Sequence, residues 1–487
     1  MLNELMKRTN ITYTENGAVT LRSTQNACLD LFATIGALRN AEEKEIICRF
    51  LRAWAAERDT AMKMLFYSRD VRGGLGERRT FRVILRWLAQ HEPASVKRNL
   101  HLISEYGRWD DLLVLLGTSC EQETVALIRR QLQADLAAEE GRVSLLGKWL
   151  PSVNASSEQT IRQAKRLARL LGMKDAEYRR MLVKLRAKIR VLENNLREKD
   201  YTFDYGKQPA GAMLKYRRAF IRNDRARYLS FLRNVSKGTA EMHTGTLTPW
   251  ELVRRAMDFH GSEMERQSLD VMWNALGNSL ENDTDGANAL CIVDGSGSMY
   301  AGVQMRPIDA ALSLGLYFAE RSRGAYRNHF MTFSTRPQMV QIQGRDLVEK
   351  VRYCESFNEV ADTNIQGVFE LLLQTALEQH VPPENMPDAL YFITDMEFNC
   401  CTAGADRTNF EYAKQLYAKH GYQLPQVIFW TVNSRSRQQP VAMNEQGVIL
   451  VSGASARIFS MVAAGALDPC DYMRYVLGDA RYAEIAA

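Results

Sequence analysis

Across residues 25–285, apolar positions recur at three- and four-residue spacing, as in DDLLVLLG, SVKRNLHLISEYG and QTIRQAKRLARLLG. That period predicts amphipathic helices. Gly107, Gly117 and Gly172 stand where such helices would stop. Segments of about 12 to 20 residues predict stacked antiparallel helices, with no clean internal repeat. Near residue 285 the pattern changes. NDTDGAN (282–288) reads as a polar, turn-rich linker. Beyond it, ALCIVD, HFMTFS, ALYFITD and QVIFWTV read as strands buried on both faces. PIDAALSLGLYFAERSR and NIQGVFELLLQTALEQ read as helices between them. The alternation predicts a doubly wound α/β domain with a mostly parallel sheet. The expected division is an all-α module of stacked helices over 1–285 and an α/β domain over 286–487.

At 487 residues the chain is too long for one core. No apolar run reaches the roughly 18 residues of a membrane span, and MLNELMKRTNITYTENG lacks the apolar stretch of a secretory signal. The 8 cysteines form no CxxC pair, and Cys400-Cys401 is an isolated vicinal pair. No zinc cluster is evident, and a reduced, cytoplasmic compartment is expected. The net charge of +6 conceals an asymmetry: residues 141–240 carry 24 Lys/Arg against 8 Asp/Glu, while 241–487 carry 19 against 30. The basic middle should attract polyanions and the acidic C-terminal part should not.

The strand ALCIVD ends in DGSGS. Glycines let the chain turn tightly there, so Asp294, Ser296 and Ser298 can point to one spot. In doubly wound sheets ligands bind beyond the carboxyl ends of strands. Asp395, ending ALYFITD, and Thr363, just before a helix, supply two further oxygens. This hard donor set suits Mg²⁺, or another divalent cation such as Mn²⁺ or Ca²⁺. A nucleophile elbow would need Gly-x-Ser-x-Gly, a P-loop would need Gly-Lys-Ser/Thr, and an aspartyl phosphatase would need Asp in place of Ser296. The bland alternative is a metal-free Gly/Ser turn. The order Asp-x-Ser-x-Ser, then Thr, then Asp resembles the metal-ion-dependent adhesion site of von Willebrand factor A (vWA) domains, over about residues 286–487. The resemblance implies a bound metal whose open positions accept a carboxylate from an acidic protein partner. Glu397 is the one neighbouring base candidate, and a surface or helix-capping role is expected for it. With no nucleophile–base pair in view, the site reads as binding rather than catalytic.

Three stretches of the helical half are basic. RDVRGGLGERR sets Arg72 ahead of a glycine loop that leads into a helix carrying Arg78, Arg79 and Arg82, where an anion can bind or an ordinary loop can stand. Residues 144–201 hold Lys148, Lys165, Arg166, Arg169, Arg179, Arg180, Lys184, Arg186, Lys188 and Arg190 around an apolar stripe of Leu182, Leu185, Ile189 and Leu192. LKYRRAFIRNDRARYLSFLRN interleaves Arg217, Arg218 and Arg222 with Tyr216, Phe220, Tyr228 and Phe231. Aromatics among cations suit single-stranded nucleic acid, although their spacing assigns most of them to a helix core.

TENGAVTLRSTQNACLDLFA, RDVRGGLGERR, KWLPS and the YRR…LR segment, set ahead of a vWA-like part, resemble a large uncharacterised family of bacterial, phage and plant proteins. Its architecture is similar to that of the Ro (TROVE) family. That resemblance implies HEAT-like repeats closed by a vWA domain, and binding of noncoding or single-stranded RNA as a ribonucleoprotein. Whether the shorter helical part here closes into a ring stays open. The reading is thus a non-catalytic, Mg²⁺-dependent RNA-binding protein. Its alternatives are an adaptor of an AAA+ (MoxR-type) ATPase or a phage virion or assembly protein.

Overall fold

In the computed structural model of the chain the described residues are 8–189, 191–245, 247–278, 288–302, 305–358, 363–399, 408–455 and 468–487. The N-terminal part opens with an antiparallel hairpin, β1 (Ile11–Tyr13) and β2 (Val19–Leu21). Helices follow in chain order: α1 (Ala27–Phe32), α2 (Glu43–Ala56), α3 (Arg58–Arg69), α4 (Arg78–His91), α5 (Pro93–Arg98), α6 (Ile103–Tyr106), α7 (Glu121–Ala137), α8 (Leu146–Trp149), α9 (Glu158–Leu170), α10 (Asp175–Ile189), α11 (Leu192–Glu198), α12 (Ala210–Asn223), α13 (Arg225–Ser236), α14 (Pro249–Met257) and α15 (Glu263–Asn278). The apolar period sets their buried faces. Phe81, Ile84, Leu85 and Leu88 bury one side of α4. In α14, Pro249 occupies the first turn, and Thr248 with Glu251 forms a reciprocal cap.

Two expected helices take other forms: SVKRNLHLISEYG breaks into the end of α5, a 3₁₀ turn at Leu100–Leu102 and the single turn α6. DDLLVLLG lies in a 3₁₀ stretch, Trp109–Leu115. The fully buried Asp111 carboxylate accepts from the Arg108 amide at 2.9 Å, Arg69 Nε at 2.7 Å and Arg82 Nε at 2.5 Å. These tertiary bonds fix the turn, where the pattern alone favoured α-helix.

The C-terminal part is a six-stranded mixed sheet with helices: β3 (Ala289–Asp294), α16 (Pro307–Arg321), β4 (His329–Phe333), β5 (Met339–Gln341), α17 (Leu347–Glu355), α18 (Ile365–Glu378), β6 (Ala389–Thr394), α19 (Asn409–Lys419), β7 (Gln426–Thr431), β8 (Val448–Ser452) and α20 (Pro469–Leu477). Strand order is β5-β4-β3-β6-β7-β8, parallel except for β5 on β4. β3 and β6 are buried along their whole length. α16 is buried from Pro307 to Ala319 and lies close on β3. At Gly315 an added Cβ would fall 2.4 Å from Val293 Cγ2. β3 passes through α16 to β4 on one side, and β6 lies on its other side. The order reverses between β3 and β6, which opens a crevice at their carboxyl ends.

The helical part is anchored to the sheet domain at both of its ends. α14 packs on α16 and α17, and α15 packs on α17. At the other end α1 packs on β8 and α20, and α3 packs on α20 and the turn Ala480–Tyr482. Gly36 makes this approach possible, because a Cβ there would lie 2.6 Å from the Ser452 carbonyl oxygen. Polar links run across the same junction. Fully buried Asp70 accepts from Arg481 Nε and, at 2.8 Å, from its Nη2. Glu45 pairs with Arg437, and Arg49 donates to Ser434 Oγ at 2.7 Å. The two ends also meet each other, with the Arg39 guanidinium 5.5 Å from the Trp250 ring. The closure that the sequence left open is therefore made through the sheet domain. Residues 282–287 of the expected linker, Arg190 and Cys400-Cys401 lie outside the described residues. Among the described residues Cys28, Cys48, Cys120, Cys291, Cys354 and Cys470 are free thiols. No helix there is long and apolar enough to cross a membrane.

Candidate metal-ligand cluster and basic surface

Asp294 and Asp395 stand side by side where β3 and β6 end. Both are buried, Asp294 completely. Asp294 Oδ2 accepts from Thr394 Oγ1 of the neighbouring strand at 2.6 Å, and Oδ1 accepts from the Ser296 amide at 2.9 Å. Burial, and next the Asp395 carboxylate, push the Asp294 carboxyl above its ordinary range. The glycine-bearing loop turns Ser296 and Ser298 back, with their hydroxyl oxygens 3.1 Å apart. Neighbouring ligands of an octahedral Mg²⁺ at about 2.1 Å are separated by about 3 Å. Thr363 is buried and donates to the Glu397 carbonyl at 2.7 Å or to Asn399 Oδ1 at 2.8 Å, which leaves its lone pairs available. Two adjacent buried carboxylates and three hydroxyls thus fit a hard divalent cation.

Three neighbours of this cluster were not singled out from the sequence. Arg435 Nη2 pairs with Asp395 Oδ2 at 3.1 Å, while Nη1 reaches Glu15 at 2.9 Å. Thr394 and Asn399 orient Asp294 and Thr363; only Thr394, adjacent to Asp395 at the strand end, was findable by position. Glu397 corrects the expectation of a surface or capping residue. It is 2% exposed, and Oε2 accepts from the Glu15 amide at 2.9 Å and from Gln438 Nε2 at 2.9 Å. The turn of the β1–β2 hairpin docks here. Thr14 Oγ1 donates to the Phe398 carbonyl at 2.5 Å and Asn16 Nδ2 to the Glu397 carbonyl at 2.7 Å. Met396 holds φ of +68°, a strained left-handed conformation at the rim.

The basic residues divide into engaged and free groups. Arg79 donates to the Arg39 and Ala41 carbonyls. Arg186 donates to Gly147 O, Leu150 O and Ser152 Oγ, all within 2.9 Å. Lys188 donates to the carbonyls of Asp135, Leu136 and Ala138 at the end of α7. Arg166 pairs with Glu121 at 2.6 Å, Lys165 with Asp175 at 3.7 Å, and Arg218 with Glu265. Lys148 lies 5.6 Å from the Trp149 ring, and exposed Arg169 donates to the Lys165 carbonyl. Arg72, Arg78, Arg179, Arg180, Lys184 and Arg222 are exposed, with no side-chain hydrogen bond or ion pair among the described residues. Around the Gly73-Gly74 loop most amides turn inward, that of Gly73 to the Asp70 carboxylate. Arg72 N donates to Asp70 Oδ1, Leu75 N to Tyr67 O, Gly76 N to Asp70 O and Glu77 N to Ser68 O. Phe220, Tyr228 and Phe231 are core, and Tyr216 is half-buried.

A cleft of about 1220 Å³ separates α8 and α10 from α11 and the start of α12. Lys148, Arg179 and Arg197 line it together with Leu145 and Val183, two of the most exposed apolar side chains.

Residues 14–135 and 126–285 match the family model described as Domain of unknown function (DUF2828), and residues 288–468 match Domain of unknown function (DUF7788). An uncharacterized protein L728 of Acanthamoeba polyphaga mimivirus is 28% identical, over 96% of this chain and 87% of its own length. The crystal structure of the Deinococcus radiodurans Ro (RSR) protein is similar at a TM-score of 0.39 and 15% identity, covering 94% of this chain and 100% of that one.

Proposed function

The chain belongs to the family described as Domain of unknown function (DUF2828), and from that premise we propose that it is a non-catalytic RNA-binding protein. The observation that carries this reading is the pairing of free cations with a wide cleft. Arg179, Arg180 and Lys184 project unpaired from α10, whose Arg179 and Val183 also line the cleft. Phosphates would meet the cations, and splayed bases would meet the exposed Leu145 and Val183. Single-stranded segments are the substrates that such a combination suits, because their bases are free to leave the stack. The excess of 24 Lys/Arg over 8 Asp/Glu in 141–240 supplies the long-range attraction.

The sheet domain is read as vWA-like, with Asp294, Ser296, Ser298, Thr363 and Asp395 holding Mg²⁺ or a similar cation. Once bound, the cation would balance the two carboxylates and offer a coordination position to an acidic group of a protein partner. Glu397 is committed to the hairpin, so it does not serve this site as a general base.

The test is the ratio of absorbance at 260 and 280 nm of purified protein, before and after ribonuclease and a high-salt wash. Ribonuclease-sensitive nucleic acid is the expected result, and sequencing it would identify the ligand. A clean protein that also fails to bind single-stranded or structured RNA at low salt refutes the reading.

A further inference from the structure

Arg217 on α12 and Arg255 on α14 face an open pocket of about 440 Å³, walled by Trp250, Phe259 and His260. The pocket's other two arginines are engaged: Arg218 pairs with Glu265, and Arg254 lies 3.9 Å from Asp309. Among the described residues, neither Arg217 nor Arg255 has an ion-pair partner. Each gives Nη1 to one carbonyl of its own helix, Leu214 O at 2.7 Å and Glu251 O at 2.6 Å. Arg217 Nε is buried without an acceptor. The nearby carboxylates are in use. Glu251 Oε2 caps α14 through Thr248, and Asp258 sits 3.7 Å from Arg306. Burial, and next the charge of Arg255, lower the Arg217 guanidinium from its usual range. Glu265 and Glu251 lie near Arg217 and Arg255 but are bound elsewhere, so two half-buried like charges without an ion pair of their own cost free energy that an anion between them would lower.

We propose that Arg217 and Arg255 clamp a phosphoryl group, with Trp250 and Phe259 offering aromatic surface to an attached base. The planar guanidinium forks match phosphate oxygens in pairs. The pocket is of a size that holds a nucleotide. The phosphoryl group has two sources, the terminal phosphate of a bound RNA or a free mononucleotide. The first source rests on the RNA-binding reading above, and the second does not.

The experiment uses the full chain. Fluorescence anisotropy compares a 3′-labelled ten-nucleotide single-stranded RNA bearing a 5′-phosphate with its 5′-hydroxyl twin, and calorimetry follows titration of adenosine monophosphate. The variants are Arg217→Gln, Arg255→Gln, Arg255→Lys and, outside the pocket's lining on the same helix α12, Arg222→Gln, each checked by circular dichroism. If RNA is the source, the terminal phosphate should tighten binding roughly ten- to hundredfold. Either Gln variant at the clamp should abolish that preference, so that the phosphorylated RNA binds no tighter than its hydroxyl twin. Arg255→Lys should restore only part, and Arg222→Gln should keep the preference. Mononucleotide binding that Arg255→Gln removes, without any RNA binding, supports the clamp and refutes the RNA reading. RNA binding in which neither the terminal phosphate nor the mononucleotide responds to the clamp variants overturns the clamp and leaves the RNA reading standing.

Discussion

Replacing Arg179, Arg180 and Lys184 together with alanine isolates the proposed contacts from the fold. All three are exposed and unpaired within two turns of α10, while Tyr178, Met181, Leu182 and Leu185 carry its buried side. Alanine is at least as good a helix former, so the helix should persist. If each cation meets one phosphate of a single strand, each contributes about 0.7 to the slope of log K against log salt, so the triple variant should lower that slope by about 2. The same relation makes the affinity loss roughly 50-fold at 150 mM salt and only about 4-fold at 500 mM. Fluorescence anisotropy with a single-stranded RNA, titrated at four salt concentrations, measures both quantities. A loss of equal size at every salt would point to damaged structure rather than lost phosphate contacts. An unchanged slope would remove α10 from the interface altogether.

Asp294→Asn should abolish stabilisation by Mg²⁺, which for the wild type should reach about 2.7 kcal/mol at a hundred times Kd; thermal shifts with and without the ion read this, and a retained shift would rule out the cluster. RNA affinity should be unaffected. The Asp70–Arg481 latch should respond unequally to truncation. Arg481→Ala strands a fully buried carboxylate and should cost about 3–5 kcal/mol. Asp70→Ala leaves Arg481, 27% exposed, free to hydrate and should cost nearer 1–3 kcal/mol; equal shifts in urea unfolding would contradict the argument. Acid should loosen the junction of the two parts. The hydrogen bond from Arg437 acts against burial, with Arg49 assisting, and holds Glu45 down to about 2, below its ordinary 4.5. Between those values the unfolded chain binds more protons, so the contribution is present above about 4.5 and lost as pH falls toward 2. Glu45→Gln should remove that part of the acid sensitivity, and an unaltered acid unfolding profile would exclude it.

Legibility followed the range of the interaction. A strand end such as Asp294 was readable because the apolar run before it and the glycines after it are contiguous, and Asp395 was readable from its apolar run alone. The cations of α10 were readable as a composition, but not as free or engaged. Arg186 and Lys188 have the same local character as Lys184, yet their donors go to one hydroxyl and five carbonyls 34 to 53 positions away. DDLLVLLG carried a helical pattern, and the carboxylate of Asp111, drawn in by Arg69 and Arg82, decided otherwise.

By itself the sequence determined a helical part followed by a wound α/β part, and the oxygen-rich turn after the first strand of the latter. These follow from periodicity and turn chemistry, which act over a few residues. Only the tertiary structure decided the rest: that the helical part closes onto the sheet domain, that Arg435 and the N-terminal hairpin border the Asp395 site, that Glu397 is buried, and that Arg217 and Arg255 share one pocket with no ion-pair partner among the described residues. Each joins positions 38 to 420 apart along the chain, as Gly36 with Ser452 and Glu15 with Glu397 do. Such contacts are chosen by the packing of whole elements, and no local pattern encodes them.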